Sequence, residues 1–342
     1  MNTGARARSA IVAVDLMGGD HSPDAVIEGC LKALEKGTAI LALGDAPAVA
    51  RLRSQGDYPN LQTVECSQVI TPDDPPVRAI RHKRDSTIVK GLSAVKNGDA
   101  GAFVSAGSTG ALVAGGVLIM KRAKGVDRPC LGIVLPSQNK RGVLFVDLGA
   151  SSDVRSETLV EFGLMGKIYA ECVLGWHEPK VGLLNIGTEK EKGNMVARKA
   201  YKLMQDAPLN FAGNIEARDV FFGKADVIVT DGFTGNVFLK TCEGTVLFQL
   251  DVIREQVQSS ILSKLGAVLM KPAFRKVNEI LDYSAYGGAP MLGLEGCLVK
   301  CHGSSGAVAI ANGIEQALRF LSNDVASIIS DTLSKAHREG ES

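Results

Sequence analysis

The chain has 342 residues, 45% of them hydrophobic and 22% charged, and its 38 Lys and Arg balance 37 Asp and Glu to a formal charge of +1. That length allows one large α/β unit or about two domains, and the charge balance argues against a nucleic-acid binder, which carries a marked basic excess. The longest apolar run, from Gly110 to Met120, contains glycines and ends at Lys121, short of the roughly 20 residues that cross a bilayer.

Residues 10–15 are a short run rich in β-branched side chains, suited to a strand buried on both faces of a parallel sheet. A glycine loop, 17–23, follows. Ser22 then reads as an N-cap and Pro23 as the first helical position; Val26, Cys30, Ala33 and Leu34 share one helical face, and Gly37 is a stop. The same strand, loop, helix unit recurs with strands at 39–43, 102–105 and 143–148 and helices at 46–52, 109–121 and 157–173. Further strands are expected at 180–185 and 226–230, and a closing unit leads from 298–299 into a helix after Ser305. Alternating β and α elements predict a parallel sheet with helices on both faces. No low-complexity linker divides the chain, so residues 10–335 are expected to form one α/β unit of closely joined lobes.

One segment breaks the alternation. From 246 to 283 Val246, Leu250, Ile253, Val257, Ile261, Leu265 and Val268 fall on one helical face, which predicts an inserted helical hairpin. Its apolar centre, 265–274, is flanked by Lys264, Lys271, Arg275 and Lys276. The stripe suits a core or dimer interface; an exposed apolar tip ringed by cations suits an anionic membrane surface.

Two loops 125 residues apart share one pattern: Val104-Ser-Ala-Gly-Ser-Thr-Gly-Ala-Leu112 and Val229-Thr-Asp-Gly-Phe-Thr-Gly-Asn-Val237. Each has a strand end, a hydroxyl residue, a turn glycine, then Thr-Gly opening a helix. Glycines let successive N–H groups approach a ligand, and a helix N-terminus favours negative charge. The hydroxyls of Ser105, Ser108, Thr109, Thr230 and Thr234 add donors, so these loops suit an oxyanion. His302-Gly-Ser-Ser-Gly306 and Met17-Gly-Gly-Asp-His21 are two further glycine loops, and such loops gather at the carboxyl ends of strands where α/β sheets bind ligands.

No Gly-x-Gly-x-x-Gly follows the first strand, no Gly-x-x-x-x-Gly-Lys-Ser/Thr occurs, and no Gly-x-Ser-x-Gly elbow is present. Seven cysteines without Cys-x-x-Cys, and histidines at 21, 82, 177, 302 and 337, match no disulfide framework or metal spacing. Cys301, beside His302, is expected to be a structural thiol. The amino-terminal stretch carries Arg6 and Arg8 without a signal-peptide apolar region, which predicts a cytoplasmic location.

At the glycine loops the sequence resembles the bacterial phosphate acyltransferases of phospholipid synthesis. The resemblance rests on Val14-Asp-Leu-Met-Gly-Gly-Asp-His-Ser-Pro23, Ser105-Ala-Gly-Ser-Thr-Gly-Ala-Leu112, Val146-Asp-Leu-Gly-Ala150, Val181-Gly-Leu-Leu-Asn-Ile-Gly187, residues 219–229, Asp231-Gly-Phe-Thr-Gly-Asn-Val237, and residues 287–294 through His302-Gly-Ser-Ser305. Leu16, Ser22, Ser108, the Ser151-Ser152 pair and Thr188 depart from the family pattern; Ser108 keeps donor capacity where the family has Asn, whereas Thr188 replaces a carboxylate beside Glu189.

The resemblance implies a doubly wound three-layer α/β/α sandwich related to isopropylmalate dehydrogenases and phosphate acetyltransferases. It implies transfer of an acyl group from acyl carrier protein to inorganic phosphate, giving acyl phosphate and free carrier, the first step toward phosphatidic acid. It also implies a homodimer that touches the membrane peripherally through the hairpin, a membrane acyltransferase that accepts the acyl phosphate, and neither metal nor organic cofactor.

On that reading phosphate is held by Gly18, Gly19, Ser105, Gly107, Ser108, Thr109 and Gly110 on one side and by Gly232, Thr234, Gly235, Asn236 and Ser304 on the other. His21 or His302 stabilises the thioester oxyanion, Asp20 and Asp231 orient, and Lys190 and Lys240 are candidates for offsetting phosphate charge. Arg78, Arg81, Lys83 and Arg84, the densest basic cluster, are expected to receive the acidic carrier. Three other activities fit the same residues: acyl transfer from coenzyme A thioesters, hydroxyacid dehydrogenation, and a non-catalytic acyl-binding module.

Overall fold

The computed structural model describes residues 10–281 and 287–340; Arg6, Arg8 and the last two positions of the expected hairpin, 282 and 283, lie outside these described residues. Strands β1 (Val12–Asp15), β2 (Ile40–Gly44), β3 (Leu61–Glu65), β4 (Ala102–Ser105) and β5 (Cys130–Leu131) come first. They are followed by β6 (Ile133–Leu135), β7 (Val143–Val146), β8 (Lys180–Asn185), β9 (Asn210–Glu216), β10 (Val227–Val229), β11 (Ala289–Leu292) and β12 (Cys297–Lys300). The α/β layering is as the alternation predicts, but the parallel strands divide between two sheets, ordered β3-β2-β1-β4-β12-β11-β5 and β6-β7-β10-β8-β9. β1 is parallel to β2 and β4, and β12 to β4; β10 is likewise parallel to β7 and β8, while β11 and β6 run antiparallel to their neighbours. The chain passes between sheets at Gly132, which separates β5 from β6.

Period-two alternation fills both faces of the strands. Val12, Val14, Ala102 and Val104 enter one core with the Asp24–Glu35 and Ala307–Ser322 helices, while Ala13 and Phe103 enter another with the Thr87–Asn97 helix. Leu144 and Val146 of the second sheet join the first of these cores through Phe162 and Met165 of the Ser156–Cys172 helix. One continuous core therefore ties the two sheets together and fixes how their carboxyl edges face each other.

Several local expectations change. The first helix is Asp24–Glu35, and Ser22 is not its side-chain cap: the Ser22 hydroxyl donates to the Gly19 carbonyl at 2.8 Å and so braces the glycine loop. Gly37 follows the helix at φ +84°, the left-handed stop that the sequence implies. The expected 109–121 helix is α-helical only over Thr109–Gly115 and continues as a π-helical turn, Gly116–Met120.

The hairpin is longer than its expected span. Its first helix, Gly232–Gln258, begins at the second glycine loop, and the second, Ile261–Leu281, follows a turn at Ser259 and Ser260. The apolar centre at 265–274 therefore lies within a helix rather than at the tip. Three of the seven stripe residues, Val246, Leu250 and Val257, are half-buried, but Ile253, Ile261, Leu265 and Val268 are exposed, so the stripe is not core. No helix among the described residues is long and apolar enough to cross a membrane.

Candidate active site

Each sheet ends in a buried carboxylate that organises a glycine loop. At the tip of β1, Asp15 Oδ2 accepts from the Ser105 hydroxyl at 2.7 Å and Oδ1 from the Met17 N–H at 3.0 Å. Just after β7, Asp147 Oδ1 accepts from the N–H groups of Leu131 at 2.8 Å and Ala150 at 3.2 Å, and Oδ2 from that of Ser151 at 2.7 Å. Burial pushes both carboxyls up against these donors, Asp147 to about 6. Both stand in a Val-Asp-Leu sequence and both sit beside one of the paired loops, so the loop resemblance extends to the strands that carry the loops.

Three of the four glycine loops pack on one another. A Cβ on Gly18 would lie 2.6 Å from the Gly107 nitrogen, and one on Gly19 would lie 3.0 Å from the Gly303 carbonyl, so only glycine allows this approach. The Asp20 N–H donates to the Gly303 carbonyl at 2.8 Å, and the Cys301 N–H to the Ser105 carbonyl at 2.9 Å. The fourth loop belongs to the second sheet. Asp231 caps the long helix, Oδ1 accepting from the Thr234 N–H at 2.8 Å and Oδ2 from its hydroxyl at 2.7 Å.

A cavity of about 270 Å³ lies where the two carboxyl edges meet. Thr109 enters it from the first sheet's loop, Asn236 and Leu148 from the second sheet's loops, and Lys300 and His302 from the end of β12, with Lys240 and Glu243 one and two turns along the long helix. An apolar groove of about 790 Å³ continues from Leu239, Lys240, Glu243 and His302 past Phe221 and Val246 to Leu247 and Ile280. Burial and the neighbouring Lys300 hold the His302 ring below its ordinary pKa, against Glu243 and Asp20, which act the other way. Its Nδ1 accepts from the Ser304 N–H at 3.2 Å and lies 2.8 Å from the Ser304 hydroxyl, an arrangement that suits a neutral ring with its proton on Nε2.

Of the residues singled out in the sequence, Thr109, Asn236, Lys240 and His302 share this cavity, and His302 and Ser304 share the groove. Ser105 is 1% exposed and its hydroxyl is engaged by Asp15, so it shapes its loop from below. Ser108 caps the Thr109–Gly115 helix. Gly110 is exposed beside Pro76, and Gly232 and Gly235 pack against Asp147 and Ser151. His21 is exposed and does not line the cavity; Asp231 and Thr234 are occupied with each other. Lys190 is a surface residue 3.7 Å from Glu191.

In the basic cluster, Lys83 is held by Asp74 at 2.6 Å and the Val69 carbonyl at 2.9 Å, while Arg78, Arg81 and Arg84 are exposed on and just after the Pro76–His82 helix. Cys301 is fully buried in the core, its thiol pushed up to about 12 by burial. Sequence reasoning missed Lys300, Glu243 and the roles of Asp15 and Asp147. Three of these four stand at strand ends, a position that favours ligand contact in parallel sheets.

A family described as "Fatty acid synthesis protein" matches residues 10–328. The chain is 44% identical over 328 residues to the phosphate acyltransferase of Geobacillus sp. (strain WCH70), covering 95% of this chain and 99% of that one. It is 44% identical over 326 residues to the phosphate acyltransferase of Alkaliphilus oremlandii (strain OhILAs), covering 94% and 97%. Among solved structures, a phosphotransacetylase from Streptococcus pyogenes superposes with a TM-score of 0.61 at 17% identity, over 91% of this chain and 94% of that one. A 4-hydroxythreonine-4-phosphate dehydrogenase from Klebsiella pneumoniae gives a TM-score of 0.53 at 12% identity, over 93% and 100%; these two likenesses speak to the fold. The sequence relatives, matched along nearly their whole length, carry the conclusion that this chain belongs to the phosphate acyltransferase family and is an acyltransferase.

Proposed function

We propose that the protein transfers a fatty acyl group from the thioester of acyl carrier protein to inorganic phosphate, giving acyl phosphate and free carrier. The observation that carries this reading is the meeting of the Thr109 and Asn236 loop ends with Lys300 and His302 in one cavity that opens into an apolar groove. The cavity suits a small oxyanion; the groove suits a long acyl chain ending at the reacting carbonyl.

Phosphate needs positioning more than deprotonation near neutral pH. A phosphate oxygen attacks the thioester carbonyl carbon, the C–O bond forms, and the tetrahedral oxyanion collapses with cleavage of C–S. The electron pair leaves on the carrier's thiolate, whose conjugate acid has a pKa near 8.5, so no nucleophile triad is needed. Orientation in the cavity supplies much of the acceleration, and the Nε2–H of neutral His302 stabilises the oxyanion. The decisive measurement is thiol release from acyl carrier protein with and without phosphate, followed by identification of the acyl phosphate. Release independent of phosphate, equal preference for coenzyme A thioesters, or a nicotinamide absorbance change on a hydroxyacid would each defeat it.

The exposed Arg78 and Arg81 lie near the cavity, because Pro76 at the start of their helix packs on Gly110 next to Thr109. Their exposed charge supports reading them as the surface that receives the acidic carrier, and charge reversal there raises KM for the carrier substrate with little change in kcat; an unchanged KM removes this docking role. The hairpin serves a homodimer through Leu247 and Phe248 and an anionic membrane surface through Leu265, Val268 and Leu269, all exposed beside Lys264 and Lys271. A monomeric sedimentation profile that Phe248→Asp leaves unaltered would refute the dimer contact. Acyl phosphate is a reactive anhydride, so a membrane acyltransferase that consumes it directly is the expected partner.

A further inference from the structure

We infer that Lys300 is the cation that binds phosphate in this cavity, its ammonium supplying the counter-charge for the anion held between the Thr109 and Asn236 loop ends. The inference rests on the reading of phosphate as acyl acceptor.

Lys300 ends β12, where it lies in register with Ser105 at the end of β4. Val299 and Cys301 on either side enter the main core, so the strand's alternation turns Lys300 to the opposite face, where it lines the cavity. Its ammonium makes no hydrogen bond or ion pair among the described residues. Lys240, the other cation of the cavity, is held by the Glu243 carboxylate at 2.7 Å. The lining thus carries two cations and one carboxylate that is already engaged, together with His302, whose pKa burial and Lys300 hold below its ordinary value.

Burial, with a smaller push from Lys240, lowers the Lys300 pKa, against Cys301 and the more weakly acting Glu243 and Asp20. A partly buried ammonium without a bonded counter-ion costs free energy, and an anion entering the cavity removes that cost. A tetrahedral anion suits the cavity because further donors, Thr109 from the first sheet's loop and Asn236 from the second's, line it with Lys300. The Lys240 charge is already offset by the Glu243 carboxylate 2.7 Å away, which leaves Lys300 as the cation of this lining whose charge no bonded carboxylate among the described residues offsets.

The test measures thiol release as a function of phosphate and, separately, of acyl carrier thioester, for wild type, Lys300→Met and Lys300→Arg. It also measures thermal unfolding of each with and without phosphate. Lys300→Met is expected to raise KM for phosphate roughly ten- to hundredfold while KM for the carrier thioester stays within about twofold, as loss of one charge-assisted contact to the anion alone requires. It should also lose the phosphate-induced rise in Tm, and Lys300→Arg should recover part of both. Should the Met variant not fold, Lys300→Gln, which keeps polarity without charge, is read in the same two assays. A folded, uncharged variant with wild-type phosphate KM and a wild-type Tm response overturns the inference while leaving the acyl-transfer reading intact. Wild type that neither needs phosphate for turnover nor gains stability from it sinks both together.

Discussion

The Ser105 hydroxyl donates to Asp15 Oδ2 at 2.7 Å and accepts the Gly107 N–H at 3.0 Å, so one buried oxygen joins the end of β1 to the turn of the glycine loop after β4. Burial raises the folded-state pKa of Asp15 above the ordinary 3.8, and the Ser105 donor partly opposes that rise. Between the unfolded and folded values the native state binds more protons than the unfolded one. Stability therefore falls as pH rises through that window. Removing the donor affects mainly the ionised form. Ser105→Ala is expected to cost about 1 to 2 kcal/mol more at pH 8 than at pH 4 by urea unfolding. An equal cost at both pH values would mean the hydroxyl does not serve the carboxylate.

Gly235 sits in the first turn of the long helix, and a Cβ there would collide with the Asp147 carbonyl oxygen and lie 3.0 Å from Thr230 Cγ2. Gly235→Ala must push the helix start away from the second sheet, at a cost of about 1 to 3 kcal/mol, and should lower turnover by displacing Asn236. Gly244, in the same helix, has open space around its Cβ position, so Gly244→Ala is expected to stabilise by roughly 0.5 to 1 kcal/mol. Comparing the two Tm values separates the close approach from helix propensity. The same sign of change for both would contradict this packing argument.

His302 should control the acid side of the pH profile. Its pKa is held below the ordinary 6.5, so the neutral ring with its Nε2–H persists above that depressed value and is lost as pH falls through it. We expect kcat/KM to be level from pH 8 to about 6.5 and to decline only at more acid pH. His302→Ala should lose roughly 10²- to 10³-fold; His302→Gln, which keeps a neutral N–H donor, should lose less and should abolish the acid decline. Persistence of the same decline in the Gln variant would transfer it to another group, of which Asp147, titrating at about 6, is the foremost.

The second hairpin helix leaves Leu269 83% and Val268 69% exposed. A Leu269→Asp, Val268→Asp pair should reduce co-sedimentation with anionic phospholipid vesicles by at least about tenfold, because two apolar contacts are replaced by charges repelled from the surface. Activity on soluble carrier substrate should be retained. Undiminished vesicle binding would leave the exposed stripe without this role.

The α/β class and most strands were legible because the strands are apolar on both faces, Val12, Val14, Ala102 and Val104 toward one core and Ala13 and Phe103 toward the other, and that pattern is local. The paired glycine loops were legible for the same reason: a turn that needs glycine writes itself into four or five consecutive residues. Helix length was not, since nothing between Asn236 and Val246 marks where the site helix becomes the hairpin; the two are one continuous helix. Family membership followed from the same local motifs, which recur in order along the chain.

What the tertiary structure alone decided is which of these loops face one another and which side chains are occupied. Asp231, Thr234 and Ser105 look available in the sequence, yet each spends its polar atoms on a neighbour. Lys300 looks like an ordinary strand end, yet the pairing of β12 with β4 half-buries it beside His302 and Lys240, with no bonded partner among the described residues. Local chemistry is set by the order of residues along the chain. The charge and hydrogen-bond balance of a site depends on which distant segments the core brings together, and no single segment carries that information.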